Sequence, residues 1–512
     1  MRSRSAILAM AALTAASIFV RSIGAQQSGS SSHPHYKLVV LGPLGGPTSG
    51  PGGSLDGGAG GWFLGGLGSL SNFGSALVAA DTPVADPFSG LNIFHAYRWQ
   101  NGFITHLDPL PTQPDSAGNN GYPNAVNIWG LAAGVSENGF IDPVTGFQQL
   151  NAVVWTPQGK VQNLGTLGGL ESEATLVNNL GEVVGWAENT IPDPFSFAGD
   201  TQVQGFTWKG GAIVALPGFP GGGGSIPSAL NDRGQVVGCA DTDTDAPNGF
   251  VPFAPALWQN GKALNLGNFG GTGGCAAWIN MRGQIVGYSN VPGDERQHAF
   301  LWQPGSFKDL GTLGGPDSGA FVINDAGDII GFSDLAGPDP IFHGVVWRNG
   351  HIHDLKTLDG DSCSQALDIN ARGQIVGSSG PCDLDDAFGQ HHATLWSGST
   401  LVDLNSLIPP DSGIVLVWAF TINDCGEIGG FALLPNGDPR AYVLIPEDGN
   451  GFHGDCASDP GANPAVTPQA SASRAAAHAA VTRAPANSAR ALAHARQAHM
   501  QRGKGFIGRI VN

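Results

Sequence analysis

The sequence predicts an all-β protein, a β-propeller of eight four-stranded blades, with seven blades as the second choice. Three observations carry that expectation. A strand-rich unit recurs along the chain, glycine-rich turns separate its strands, and the two ends of the repeat region are complementary halves of one hairpin. Gly at 79 and Pro at 35 of 512 residues, with charged side chains at only 12%, fit many short strands joined by tight turns rather than long helices.

The cleanest copy of the unit is 275–315, which offers β-type runs at 276–280, 284–288, 298–302 and 308–313. Its first anchor is Asn-x-x-Gly followed by an apolar run and often a second Gly, at Asn178, Asn231, Asn280, Asn324, Asn370 and Asn423, with weaker copies at Asn72 and Asn127. The Gly can supply the positive φ that closes a short hairpin loop. The second anchor is an apolar strand ending in Trp, at Trp99, Trp155, Trp208, Trp258, Trp302, Trp347 and Trp396, with 441–445 as an eighth copy that lacks Trp. Successive Trp residues lie 44 to 56 positions apart, the period of one four-stranded blade.

Asn-Gly after Trp99, Trp258 and Trp347 marks a two-residue hairpin, too short to cross between blades, so the strands on either side are neighbours in one sheet. The repeat region begins with the second member of such a hairpin, 36–42, and ends with the first member, 440–446. Pairing them closes the ring and removes two exposed sheet edges. The small-residue strand before each Asn is expected innermost, where space is tightest. Residues 47–61, inside a Gly-rich insertion, are expected to form a mobile surface loop.

His298-Ala-Phe-Leu-Trp302, Asp309-Leu-Gly-Thr-Leu-Gly-Gly315 and Asn-x-x-Gly-Gln-Ile-Val-Gly resemble the HAF-repeat family of bacterial extracellular repeat proteins over residues 36–446. That resemblance implies a repeat fold and export, and carries no activity with it.

The domain organisation expected is a signal peptide at 1–25, a linker at 26–35, the propeller at 36–446 and a Pro/Ala/Arg-rich tail at 447–512. Arg2 and Arg4 precede an apolar run at 6–20 and the small-residue cleavage site Ile23-Gly24-Ala25, so the expected location is extracellular or periplasmic. No later segment is apolar for the ~18 residues that a membrane-spanning helix needs. Residues 26–456 hold 13 basic and 40 acidic side chains, which argues against nucleic-acid binding. Residues 457–512 carry seven Lys and Arg against Asp459 alone; a disordered tail is expected, with contact to an acidic cell surface as the sharper alternative.

Six cysteines in an exported chain point to disulfides. Sequential pairing is expected, Cys239 with Cys275, Cys363 with Cys382 and Cys425 with Cys456. The middle pair is the firmest, because both residues flank one strand hairpin.

Catalytic signatures are sparse. Gly-x-Ser-x-Gly, His-Glu-x-x-His and the sialidase-type Asp box do not occur. Asp241, Asp243 and Asp245 resemble the opening of a calcium loop but lack its Gly at position six and its Glu at position twelve. Asp383, Asp385 and Asp386 form a second acidic cluster. Solvated loop acids are the expectation for both, and weak calcium binding is the alternative; no other cofactor is expected. His298, His343 and His392 recur at one repeat position, which a structural hydrogen bond explains. His351 and His353 share a strand face without an evident third metal ligand. The strand-end Trp residues are expected to pack between blades rather than to hold sugars.

The function expected is a secreted, non-enzymatic binding or scaffold propeller with an extracellular ligand, a glycan or a protein. The alternatives are a carbohydrate-active hydrolase or lyase using axial carboxylates, and a structural envelope component.

Overall fold

The computed structural model describes residues 36–51, 69–85, 92–111, 120–143, 146, 148–193, 201–243, 251–337, 341–382 and 390–447. They form eight antiparallel four-stranded sheets arranged as the blades of a β-propeller. The cleanest repeat is the fifth blade, with strands Gly274–Ile279, Ile285–Asn290, Gln297–Gln303 and Ser306–Asp309. In the first seven blades the first strand in chain order is innermost, and in the eighth the innermost is Val415–Ile422; from the second blade to the eighth these inner strands lie against one another around the axis.

The ends close the ring as the hairpin halves require. Tyr36–Leu41 pairs antiparallel with Pro439–Pro446, Tyr36 opposite Pro446 and Leu41 opposite Ala441, and so becomes the outer strand of the eighth blade. The Asn-Gly turns are the expected tight ones: Asn101, Asn260 and Asn349 have φ of 50 to 53°, and the glycines after them are also positive.

The second glycine of the Asn-x-x-Gly-x-x-x-Gly anchor answers a different need. The inner strand carries a bulge after Ala276 and its equivalents, which presses a carbonyl onto the second strand. A Cβ on Gly287 would lie 2.0 Å from the Cys275 carbonyl oxygen, and one on Gly185 would lie 1.9 Å from that of Glu173.

The Trp side chains fill the seams between blades. Trp155, Trp258 and Trp347 are almost fully buried, and Trp155 packs with Leu107 and Leu110 of the preceding blade. Their indole N–H groups donate backwards across the seam, Trp155 to Asp108 O and Trp347 to Leu310 O. A serine at the start of the inner strand stitches the same seam: Ser318 Oγ accepts from Ala299 N and donates to Gly311 O.

One expectation fails in the first blade. Ser49–Pro51, inside the stretch read as a mobile loop, is that blade's inner strand, paired with Val78–Ala80. A strand of three residues, Ser-Gly-Pro, carries no alternation from which it could be read.

Candidate functional site

Because each blade is an antiparallel meander, the turns after its first and third strands open on one face. The turns after its second strand, and the connections to the next blade, open on the other. We call these the hairpin face and the connection face.

The hairpin face is held by a ladder of asparagines. In six of these turns the Asn Oδ1 accepts the N–H groups two and four residues on, Asn324 Oδ1 instead takes those of Gly327 and Asp328, and the Asn Nδ2 donates to a backbone carbonyl of the next blade's turn. The chain of donors runs Asn127 to Asn178, Asn231, Asn280, Asn324, Asn370 and Asn423, with bonds of 3.0 to 3.1 Å. Asn423 then reaches Ser71 O. The first-blade copy of the anchor is therefore Ser71, not Asn72: Ser71 Oγ accepts from Phe73 N and Ser75 N, as the Asn does elsewhere. Asn72 fills the next position, where Asn or Asp accepts an N–H from the preceding blade, as Asn179, Asp232, Asp325 and Asp424 also do.

The connection face carries the acids. Three residues after the glycine of the second strand stand Glu137, Glu188, Asp241 and Asp334 in four blades, and in the first blade Asp81 stands three after Val78, which takes the glycine's place. Their carboxylates cap backbone N–H groups entering the inner strand: Asp81 takes Thr48 N, Glu137 takes Asn120 N, Glu188 takes Leu170 N and Glu171 N, and Asp241 takes Gly224 N. The residue at that entry also accepts an N–H from the third strand of the preceding blade, through Asn120 Oδ1, Asp317 Oδ1 or Cys363 Sγ.

Acid meets acid in two seams. Glu171 is 2% exposed, faces Glu188 with Asp142 and Glu173 near, and its Oε1 has no hydrogen-bond partner among the described residues. Burial, then the charge of Glu188, pushes its carboxyl up to about 8. Burial also raises Glu188. In the equivalent seam Asp334 is pushed up to about 6 by burial and by the charge of Asp317.

The sequence-derived candidates fall as follows. Asp241 is a seam cap, raised to about 6 by burial and by Asp193 rather than held as a solvated loop acid. Asp243 is exposed at the edge of the described residues, and Asp245, Asp383, Asp385 and Asp386 lie outside them. No group of three or more His, Cys, Asp or Glu placed to hold a metal occurs among the described residues. Cys239 pairs with Cys275, tying the fourth blade to the fifth, and Cys363 pairs with Cys382. Cys456, the expected partner of Cys425, lies outside the described residues. His298 and His343 bond Asp309 and Asp354 on the outer strand, each at 2.8 Å. The Asp354 carboxyl lies below its ordinary value; burial opposes that shift, and the hydrogen bond from His343 with the Lys356 N–H overcomes it. His353 stands opposite Val346, as the turn dictates.

What sequence reasoning missed is an asymmetry. The second strand runs ten residues in the first three blades, Ala76–Ala85, Ala132–Ile141 and Val183–Pro192, and six or seven in the others. These extensions rise from the connection face and expose Val84, Phe140, Ile141 and Ile191 at 41 to 55%. Side-chain amides run beside them: Asn138 donates to Gln149 Oε1 and Asn151 Oδ1, and Asn189 donates to Gln202 Oε1. A separate groove of about 600 Å³ lies where the ring closes, between Leu38, Val40, Trp99 and Ile445; Lys37 is the only charged residue among the described residues that line it.

Among known proteins, no family model and no curated protein matches this chain. Solved structures similar to it include the β-propeller domain of the Trilobed protease from Pyrococcus furiosus, described as having an open velcro topology, at 12% identity over 64% of this chain and 92% of that one, with a TM-score of 0.36. Pyrococcus horikoshii acylaminoacyl peptidase is 12% identical over 70% of this chain, which spans 56% of that protein, with a TM-score of 0.36. TolB from Acinetobacter baumannii is 11% identical over 73% of this chain and 80% of its own, with a TM-score of 0.30.

Proposed function

We propose that this chain is an exported, non-enzymatic binding propeller that grips its ligand with the extended hairpins of the first three blades. The observation that supports this reading is the ten-residue second strand, found in three adjacent blades and in no other among the described residues. Strands that project into solvent with Phe140 and Ile191 exposed present apolar surface that a ligand can cover. Rows of Asn and Gln beside apolar side chains fit the hydroxyls and ring faces of a neutral glycan; an extracellular protein is the other occupant the same surface fits. The resemblance to HAF repeats and the signal-like first 25 residues support export.

A second reading, a carbohydrate hydrolase with Glu171 and Glu188 as acid and base, draws on the raised Glu171 carboxyl. Against it, Glu171 is closed to substrate at 2% exposure, and Glu188 is already bonded to two backbone N–H groups. A scaffold role in the envelope, weak calcium binding at Asp243 and attachment through the 457–512 tail stay as subsidiary proposals.

The test is a glycan array run beside a broad glycosidase screen on the purified chain. Binding that drops at least tenfold in Phe140→Ser/Ile191→Ser, with no turnover, is the expected result. Turnover abolished by Glu171→Gln would replace it with the hydrolase.

A further inference from the structure

We propose that the hairpin face docks on an anionic lipid surface through a sector spanning the second to fifth blades. The asparagine ladder proves that all first turns open on this one face, because each turn touches the next. The third position of the turn differs from blade to blade. In the second and third blades it is Trp129 and Leu180, exposed at 55 and 58%. In the fourth and fifth it is Arg233 and Arg282, both exposed. Lys209, in the turn after the third strand of the third blade, and Lys262, which opens the fourth strand of the fourth blade, are exposed and add two more cations. None of the four is in an ion pair among the described residues.

The turns of this sector hold two acids, Glu182 and Asp232, and Asp232 is bonded by both oxygens to Asn179. The connection face is the reverse: Arg296, Lys356 and Arg440 are its only Lys or Arg side chains among the described residues, against the capping acids of five blades. An exposed Trp and Leu bordered by Lys and Arg on a flat rim is the chemistry of an interfacial anchor, where the apolar pair enters the headgroup layer and the cations meet lipid phosphates. The acidic face does not oppose it. Strands of six to ten residues at ~3.3 Å each hold the faces roughly 20–30 Å apart, against a screening length of about 8 Å at physiological salt.

The full chain is tested by co-sedimentation with phosphatidylcholine vesicles containing phosphatidylglycerol and with pure phosphatidylcholine vesicles. Binding to the anionic vesicles alone is expected. Arg233→Glu/Arg282→Glu should weaken it by well over tenfold, since each cation withdrawn costs about fivefold, and Trp129→Ser/Leu180→Ser should weaken it at unchanged charge. Circular dichroism melting checks that each variant is folded, and Arg233→Gln/Arg282→Gln serves if charge reversal disturbs the turns. Variants that bind as the parent does would assign the contact to the basic 457–512 tail and overturn the proposal. So would equal binding to neutral vesicles, absence of binding, or retention on a sulfated polysaccharide without vesicle binding.

Discussion

The seam between the first and second blades and the seam between the second and third follow one plan and complete it differently. In the first, the inner-strand entry is Asn120, a neutral amide that donates to Glu137 through both its N–H and its side chain. In the second the entry is Glu171, a carboxyl facing the carboxylate of Glu188. The hairpin face reverses the comparison. Asn127 bonds Asn178 O across the second seam, whereas the first has Ser71 in the donor's place, and there Arg98 reaches over to Gly130 O and Pro157 O instead. Each seam thus has one fully satisfied end and one improvised end. Blade packing fixes where a polar group must stand, and leaves open which polar group stands there.

Three substitutions sharpen that contrast. The largest effect is expected from Asn127→Ala, which removes the rung across the second seam and strands the N–H groups of Trp129 and Leu131; denaturant unfolding should show a loss of about 2–4 kcal/mol. Next is Glu171→Gln, which keeps the shape and deletes the charge. A carboxyl whose folded value is raised binds its proton more tightly in the folded chain, so its contribution is fully present below about 4.5 and is lost as pH rises toward about 8. The Gln variant should therefore gain on the order of 1–3 kcal/mol at pH 8 and nothing at pH 4. Equal melting temperatures at both pH values would mean that Glu171 is solvated. The smallest effect is expected from Ser71→Asn, which supplies the missing donor toward Asn127 O and should add about 0.5–1 kcal/mol to stability.

Much of this architecture was legible because its signals are local. Asn-Gly turns, strands ending in Trp and the hairpin halves at 36–42 and 440–446 each need only a few consecutive residues, and they fixed the blade count and the closure. The seams were not legible, because their partners lie one repeat apart. The Asn-x-x-Gly pattern points to its glycine, while the amide of Asn178 bonds a carbonyl 53 positions on. Ser71 does not match the pattern, because a hydroxyl substitutes for the amide. The paired acids did leave a trace, an acid just before the inner-strand Ser at Glu171-Ser172 and Asp317-Ser318, matched by an acid three residues after the next strand's Gly. At the same entry position other blades carry Asn120, Gly224, Gly273 or Cys363, so no single residue type repeats often enough to draw attention. The long second strands were partly hidden because their far halves, such as Asn189-Thr190-Ile191-Pro192, read as loop.

The pairing of Tyr36–Leu41 with Pro439–Pro446 also sets an order of events. Synthesis runs from the amino end, so the strand that seals the disc is made among the first and waits, without its ladder partner, for nearly the whole chain to follow. Seven sheets can assemble from contiguous sequence in the meantime. The eighth is the only one that requires the two ends to meet, and until it forms, a bare strand edge is left for any other chain to add to.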